Sequence, residues 1–360
     1  MKEKFSNQFE HIHRPPYLPS YSSFKEPMTV IASLLSRADN TPVSERRRDP
    51  NNLLDSEGNL ISDPANSSNT FALTSNHNIS YEKWVEYWRK VHGPRFIYAQ
   101  NREDGKIQNL MRYDQIHRVS GGPSNFSPPP YVAPTDKNGE LFDTVIGHIP
   151  EYRRPQWDGI AYLAFETVGD LRTVFSQEKL KTKILPEDQA IFRELAPVVA
   201  KEHIILPSSN QRDPILLVKT HQRKDGMSRL EFQEYWLNQH TKIVVEKPAT
   251  HKFVKRYVQL HNVGPESEGE PFWHPAGSQI DGITILAFSN INDVEDFLMT
   301  EDYECIEKDE RQIVDVEQSE YWTALNYNIV NRVYPEQPTR KDVVEGINSS
   351  CRVIAKMEKE

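Results

Sequence analysis

The sequence predicts an α+β protein made of two tandem copies of one β-α-β-β-α-β unit, closed against each other as a barrel within a single chain. Three observations predict it. The stretch Ser80-Tyr-Glu-Lys-Trp-Val-Glu-Tyr-Trp-Arg-Lys-Val-His92 recurs as Ser228-Arg-Leu-Glu-Phe-Gln-Glu-Tyr-Trp-Leu-Asn-Gln-His240. Leu110-Met-Arg-Tyr-Asp-Gln-Ile-His117 recurs as Val254-Lys-Arg-Tyr-Val-Gln-Leu-His261, and Asp158-Gly-Ile-Ala-Tyr-Leu-Ala-Phe165 as Asp281-Gly-Ile-Thr-Ile-Leu-Ala-Phe288. The blocks keep one order, the mark of a repeated unit. Strand-like and helix-like runs alternate around them so that helices cover one face of an antiparallel sheet.

Residues 1–26, with the tandem Pro15-Pro16, read as an arm. The first domain spans 27–208 and opens with an apolar strand at Met28 to Leu35. An insertion near 36–79 follows, rich in Asn, Asp, Ser and Pro, where the second copy has only Arg223 to Met227. It reads as a lid or a disordered loop. The signature helix begins at a Ser N-cap with an acid in its first turn and stops at Gly93-Pro94. Trp84, Trp88 and His92 lie one turn apart, as do Phe232, Trp236 and His240, so each helix has an aromatic face ending in histidine. Next come a strand at 110–118, an insertion near 119–157 and a strand at 159–165. Helices from Asp170 to Phe175 and near Pro186 to Leu195 precede a strand near Val198 to Leu206. The second domain, 212–334, repeats this order with shorter loops: strands at 215–221, 254–263, 282–288 and 321–330, and helices at 227–245, 291–298 and 302–316. Residues 335–360 form a polar tail. The open sheet faces of the two copies close on one another, and a ligand pocket is expected in the barrel interior, between sheet and signature helix.

Composition narrows the function. A net charge of −9 disfavours sequence-independent nucleic-acid binding, which needs a basic surface. No stretch approaches the roughly 20 apolar residues of a membrane span, and the polar N-terminus lacks a signal-peptide core, so a cytoplasmic location is expected. Cys305 and Cys351 suggest neither a disulfide framework nor a metal site, and His92, His148, His240 and His274 lack the short spacing of zinc ligands. No phosphate loop or nucleophile elbow is present. The expected partner is a small hydrophobic ligand, with a homodimer left open.

The run from an aromatic residue through Tyr-Trp to His, then Arg-Tyr on the next strand, then Asp-Gly-Ile opening a strand that ends in Phe, resembles the EthD-like family. That family belongs to the dimeric α+β barrel (ferredoxin-like) superfamily. The resemblance implies a small cofactor-free enzyme, as in a muconolactone methylisomerase and in decarboxylases or cyclases of aromatic polyketide pathways. The methylisomerase has a histidine ending its first helix, a tyrosine on the next strand, and a His-x-Pro-Tyr-like loop before the Asp of the third strand. His92, Tyr113, His148-Ile-Pro-Glu-Tyr152 and Asp158 stand in those places. In the second copy the set is His240, Tyr257, His274-Pro-Ala and Asp281, with a shorter loop and no matching tyrosine. Equal activity of the halves is therefore not implied.

Paired imidazoles in an apolar pocket can take a proton from carbon and return it elsewhere, while a tyrosine hydroxyl holds the developing enolate oxygen. On this reading His92 and His148 transfer the proton, Tyr113 is the oxyanion donor and Asp158 orients a histidine. His240, His274, Tyr257 and Asp281 form the twin set, and Trp88 and Trp236 wall the pockets. The expected function is a cofactor-independent lyase or isomerase acting on a carbonyl-bearing metabolite. A non-catalytic binding protein and a haem-dependent enzyme of the same barrel are the alternatives. Each residue also has a plain structural reading. A helix-ending histidine can bond a carbonyl, a strand tyrosine can fill a core, and Asp before Gly can form a turn.

Overall fold

A computed structural model describes residues 28–37, 81–96, 109–132, 138–140, 154–178, 180–184, 188, 191–208 and 213–331. The arm, most of the 36–79 insertion, the tail and His148 lie outside these residues.

Eight antiparallel strands close into one barrel, giving a mixed α+β fold. The strands are β1 (Thr29–Arg37), β2 (Arg112–Arg118), β3 (Gly159–Phe165), β4 (Phe192–Leu206), β5 (Ile215–His221), β6 (Arg256–Asn262), β7 (Gly282–Phe288) and β8 (Glu320–Asn331). Around the barrel they run β1-β3-β2-β8-β5-β7-β6-β4. Each half thus has its last strand beside its first, then its third, then its second, and β2–β8 and β4–β6 form the seams between halves. The registers agree as well. Ser33 sits opposite Ala161, and Lys219 opposite Thr284; Leu35 meets Gly159, and His221 meets Gly282.

Strand alternation divides every strand between two faces. Val30, Ala32 and Leu34 of β1 join Val218, Ile285 and Trp322 in one buried cluster that fills the lumen. An eight-stranded barrel is just wide enough for side chains to fill. The lumen is therefore core, and a cavity lies instead between sheet and signature helix, the other part of the expected location. Ile31, Ser33 and Leu35 point the other way and line a cavity beneath the helical layer.

The helices at Tyr81–Tyr87 and Arg229–Tyr235 dock on that outer face through Trp84 and Trp88, and through Phe232 and Trp236. Two glycines make the approach possible. A Cβ on Gly159 would lie 2.9 Å from the Trp88 ring and 2.5 Å from the Ile116 carbonyl oxygen; on Gly282 it would lie 2.3 Å from the Trp236 ring. The repeated Asp-Gly is thus a seat for the indole. Gly282→Ala is expected to cost about 1–3 kcal/mol through overpacking, read as a lowered denaturation midpoint with unchanged m-value.

One expected element is different. The helix foreseen near Pro186 to Leu195 is overridden at its end, where Phe192 to Leu195 instead begins β4 and pairs with Arg37 to Leu35. Long-range pairing with β1 decides this, and no local pattern reports it. The preceding helix starts at Val168, fixed by a reciprocal capping box between Thr167 and Asp170.

Candidate functional site

The two signature helices end alike. At Trp88–His92 and Trp236–His240 each widens into a π-type turn, the Gly93 N–H bonding the Trp88 carbonyl and the Thr241 N–H the Trp236 carbonyl. Such widened turns occur often at functional sites. A strand glutamine pins each turn. Gln115 Nε2 donates to the Trp88 carbonyl at 2.8 Å and to the Tyr113 hydroxyl oxygen at 2.9 Å. Gln259 Nε2 does the same to Trp236 (3.2 Å) and Tyr257 (2.6 Å). His117 stacks on Trp88 and His261 on Trp236, with ring centroids 4.2 and 4.7 Å apart, so both histidines lie on the same side as the tyrosines.

In the first half this framework borders a cavity of about 40 Å³, lined by Trp88, His92, Phe96, Tyr113, Asp188 and Phe192 among others. His92 is 4% exposed. Its Nε2 lies 3.2 Å from Asp188 Oδ1. Its Nδ1 is buried without a hydrogen-bond partner among the described residues. Burial, with the nearby Arg95 charge, lowers the His92 pKa to about 4, so the ring is neutral at pH 7. The Tyr113 oxygen accepts from Trp88 Nε1 (3.2 Å) and from Gln115, which occupies both lone pairs. Its own proton meets no acceptor among the described residues. Burial pushes the phenol pKa up, despite those two bonds, so it remains a donor.

The second half places charge at the matching positions. Lys219 stands where β1 has Ser33, His221 where it has Leu35, and Thr284 where β3 has Ala161. Lys219 Nζ pairs with Glu310 and approaches the Tyr303 hydroxyl at 3.5 Å. His221 Nε2 lies 2.8 Å from Thr284 Oγ1 and 3.5 Å from Glu310 Oε1. His240 Nδ1 meets Asp309 Oδ2 at 2.8 Å, and the Tyr235 hydroxyl donates to the other oxygen of that carboxylate. Burial lowers the His221 pKa to about 3. For Glu310, burial raises the pKa, but Lys219, then His221 and His240, outweigh it and hold it at about 2.

Several expected roles are corrected by this geometry. Asp158 orients no histidine: it accepts from Arg118 (2.6 Å), Arg154 (2.7 Å) and the Arg37 backbone N–H, and these charges hold it ionised against its burial. Asp281 is bound in the same way by Arg223 and Arg229. The carboxylates that meet the helix-ending histidines are Asp188 and Asp309, both from segments just before the last strand of their half. His274 caps the short helix Pro275–Ser278 by accepting from the Ala276 N–H at 3.2 Å, and it forms no contact with His240 or Tyr257 among the described residues. Trp88 does wall the cavity.

Sequence reasoning missed Ser33, Gln115, Asp188, Lys219, Glu310 and Asp309. Gln115 and Gln259 were visible as a match within the repeated Arg-Tyr-x-Gln-x-His block. Lys219 was visible as a lone charge in an apolar strand. A haem, the group of one alternative reading, needs a pocket on the order of 300 Å³ or more; the cavity at His92 does not fit it. Among the described residues no group of three or more His, Cys, Asp or Glu is placed to hold a metal, and no helix is long and apolar enough to cross a membrane.

Residues 224–317 match the family model described as the EthD domain. The match spans the second signature helix, β6, β7 and the Lys219 partner Glu310. No functionally curated protein matches the sequence. Solved structures similar to this chain include a candidate monooxygenase from Lactobacillus acidophilus (9% identity, 86% of this chain, 99% of that one, TM-score 0.40). An anthrone oxidase-like protein gives 9% identity, 88% and 98% coverage and a TM-score of 0.45. A mutant chlorite dismutase from Candidatus Nitrospira defluvii gives 9%, 86%, 95% and 0.37. At these identities and scores the likenesses carry no argument about chemistry.

Proposed function

We propose that the chain is a tandem pair of EthD-like, ferredoxin-like units whose first half is a cofactor-independent proton-transfer site. It would act as a lyase or isomerase on a small, uncharged carbonyl compound. One observation supports this above the rest: a neutral imidazole with an unused nitrogen and a phenol with an unused proton line the same apolar cavity. In this reading His92 Nδ1 takes a proton from the carbon next to the carbonyl, and the C–H electron pair moves into the enolate. The Tyr113 hydroxyl donates to the enolate oxygen, and Asp188 stabilises the imidazolium that forms. Return of the proton to a different carbon isomerises the ligand; departure of a β-substituent gives elimination. Gln115 and Trp88 position the phenol.

The tightness of the cavity favours a second reading, a protein that holds such a compound without converting it. Hydrogen–deuterium exchange at the α-carbon of a panel of small ketones and enones, followed by NMR, separates the two. His92→Gln is expected to slow exchange about 10²–10⁴-fold, and Tyr113→Phe about 10²-fold or more, each with unaltered circular dichroism. Binding without exchange in the wild type, or exchange indifferent to both substitutions, removes the catalytic reading.

A further inference from the structure

The two halves share helix, glutamine, tyrosine, tryptophan and histidine at matched positions, yet differ at strand positions that face the helical layer, above all at one. In β1 it is Ser33, which lines the cavity. Its hydroxyl has no side-chain partner among the described residues. In β5 it is Lys219, whose four-carbon stem and ammonium are buried against Glu310 and Tyr303. The neighbours change in step: Leu35 and Ala161 give an apolar floor, whereas His221 and Thr284 bond each other and face Glu310. A buried lysine is stable only while paired, so Lys219 and Glu310 hold one another in that space.

We propose that this position decides which half takes a ligand: Ser33 leaves the first-half cavity open to one small uncharged molecule, and the Lys219–Glu310 pair permanently fills its counterpart. The chain then binds one ligand, not two. The first clause rests on the proposed use of the His92 cavity, whereas the filling of the second half stands on packing alone.

Xenon tests this without knowledge of the ligand, because a small, largely apolar cavity admits it. In xenon-pressurised crystals of the full chain, a peak is expected beside Trp88 and Phe192 and none beside Trp236 and Lys219. Lys219→Ser with Glu310→Gln, which removes the pair without leaving a lone charge, is expected to add a second peak beside Trp236. If that double variant does not fold, Ser33→Leu decides: it fills the first cavity with an apolar side chain and should abolish the first peak. A wild-type peak in the second half, no peak in the first, or a first peak that survives Ser33→Leu overturns the proposal. A chain that takes xenon as expected but exchanges no α-proton would leave this inference standing and sink the catalytic one.

Discussion

The protein is expected to unfold in mild acid, with a midpoint of about pH 5. Five histidines are buried as neutral rings: His92, His117, His221, His261 and His274, with pKa values lowered to about 4, 3, 3, 3 and 4. Burial is the first cause in each. Nearby charge or imidazole adds to it for His92 (Arg95), His117 (Arg89) and His261 (His203); at His221 Glu310 opposes it. In the unfolded chain these rings titrate near their ordinary value of about 6.5. Above that pH neither state carries the protons. Below it the unfolded state binds them and the folded state does not, so stability falls as pH falls from about 6.5 towards 4 and 3. Each ring adds a slope of up to about 1.4 kcal/mol per pH unit. Together they exhaust a domain stability of about 5–15 kcal/mol within one to two units. Glu310, held at about 2, adds to the loss only below the ordinary glutamate value. Denaturant titrations at pH 7.5, 6.5, 5.5 and 5.0 check this; a midpoint that stays level down to pH 5 refutes it.

Lys219→Ala should destabilise the protein by about 3–5 kcal/mol, because it strands the buried Glu310 carboxylate. Glu310 ends the helix Glu301–Glu310 with its side chain buried, so its carboxylate stays out of water when the ammonium is lost. Lys219→Met together with Glu310→Gln should recover most of that loss, since a buried pair often contributes little over a well-packed apolar replacement. Chemical denaturation of wild type, single and double variants gives the comparison. A loss for Lys219→Met alone no larger than that of the double variant would mean that the stem packing, not the charge, is what matters at this position.

Much of the fold was legible in the sequence because it repeats. The Asp-Gly-Ile and Arg-Tyr-x-Gln-x-His blocks each mark a strand, and the period of Trp84, Trp88 and His92 marks a docked helix face. These are local signals, and the strands they foretold are β2, β3, β6 and β7 within a few residues. The candidate site was legible only in part. His92, Tyr113 and Trp88 do meet at one cavity, because their face is fixed by helical and strand periods. Asp158 and Asp281 were assigned to the wrong partners: being next to a strand mouth says nothing about which charge lies across it, and three arginines compete for Asp158.

The sequence by itself determined the repeated unit, the alternation that sorts residues between lumen and outer face, and the aromatic helix that ends in histidine. All of these follow from chain periods of 2 and about 3.6 residues. Only the tertiary structure decided that the lumen is filled, that Asp188 and Asp309 rather than the strand-mouth aspartates reach the histidines, and that one half keeps a cavity while the other buries Lys219. Those outcomes depend on which distant side chains share a volume, and volume is settled by packing across the barrel rather than by any pattern along the chain.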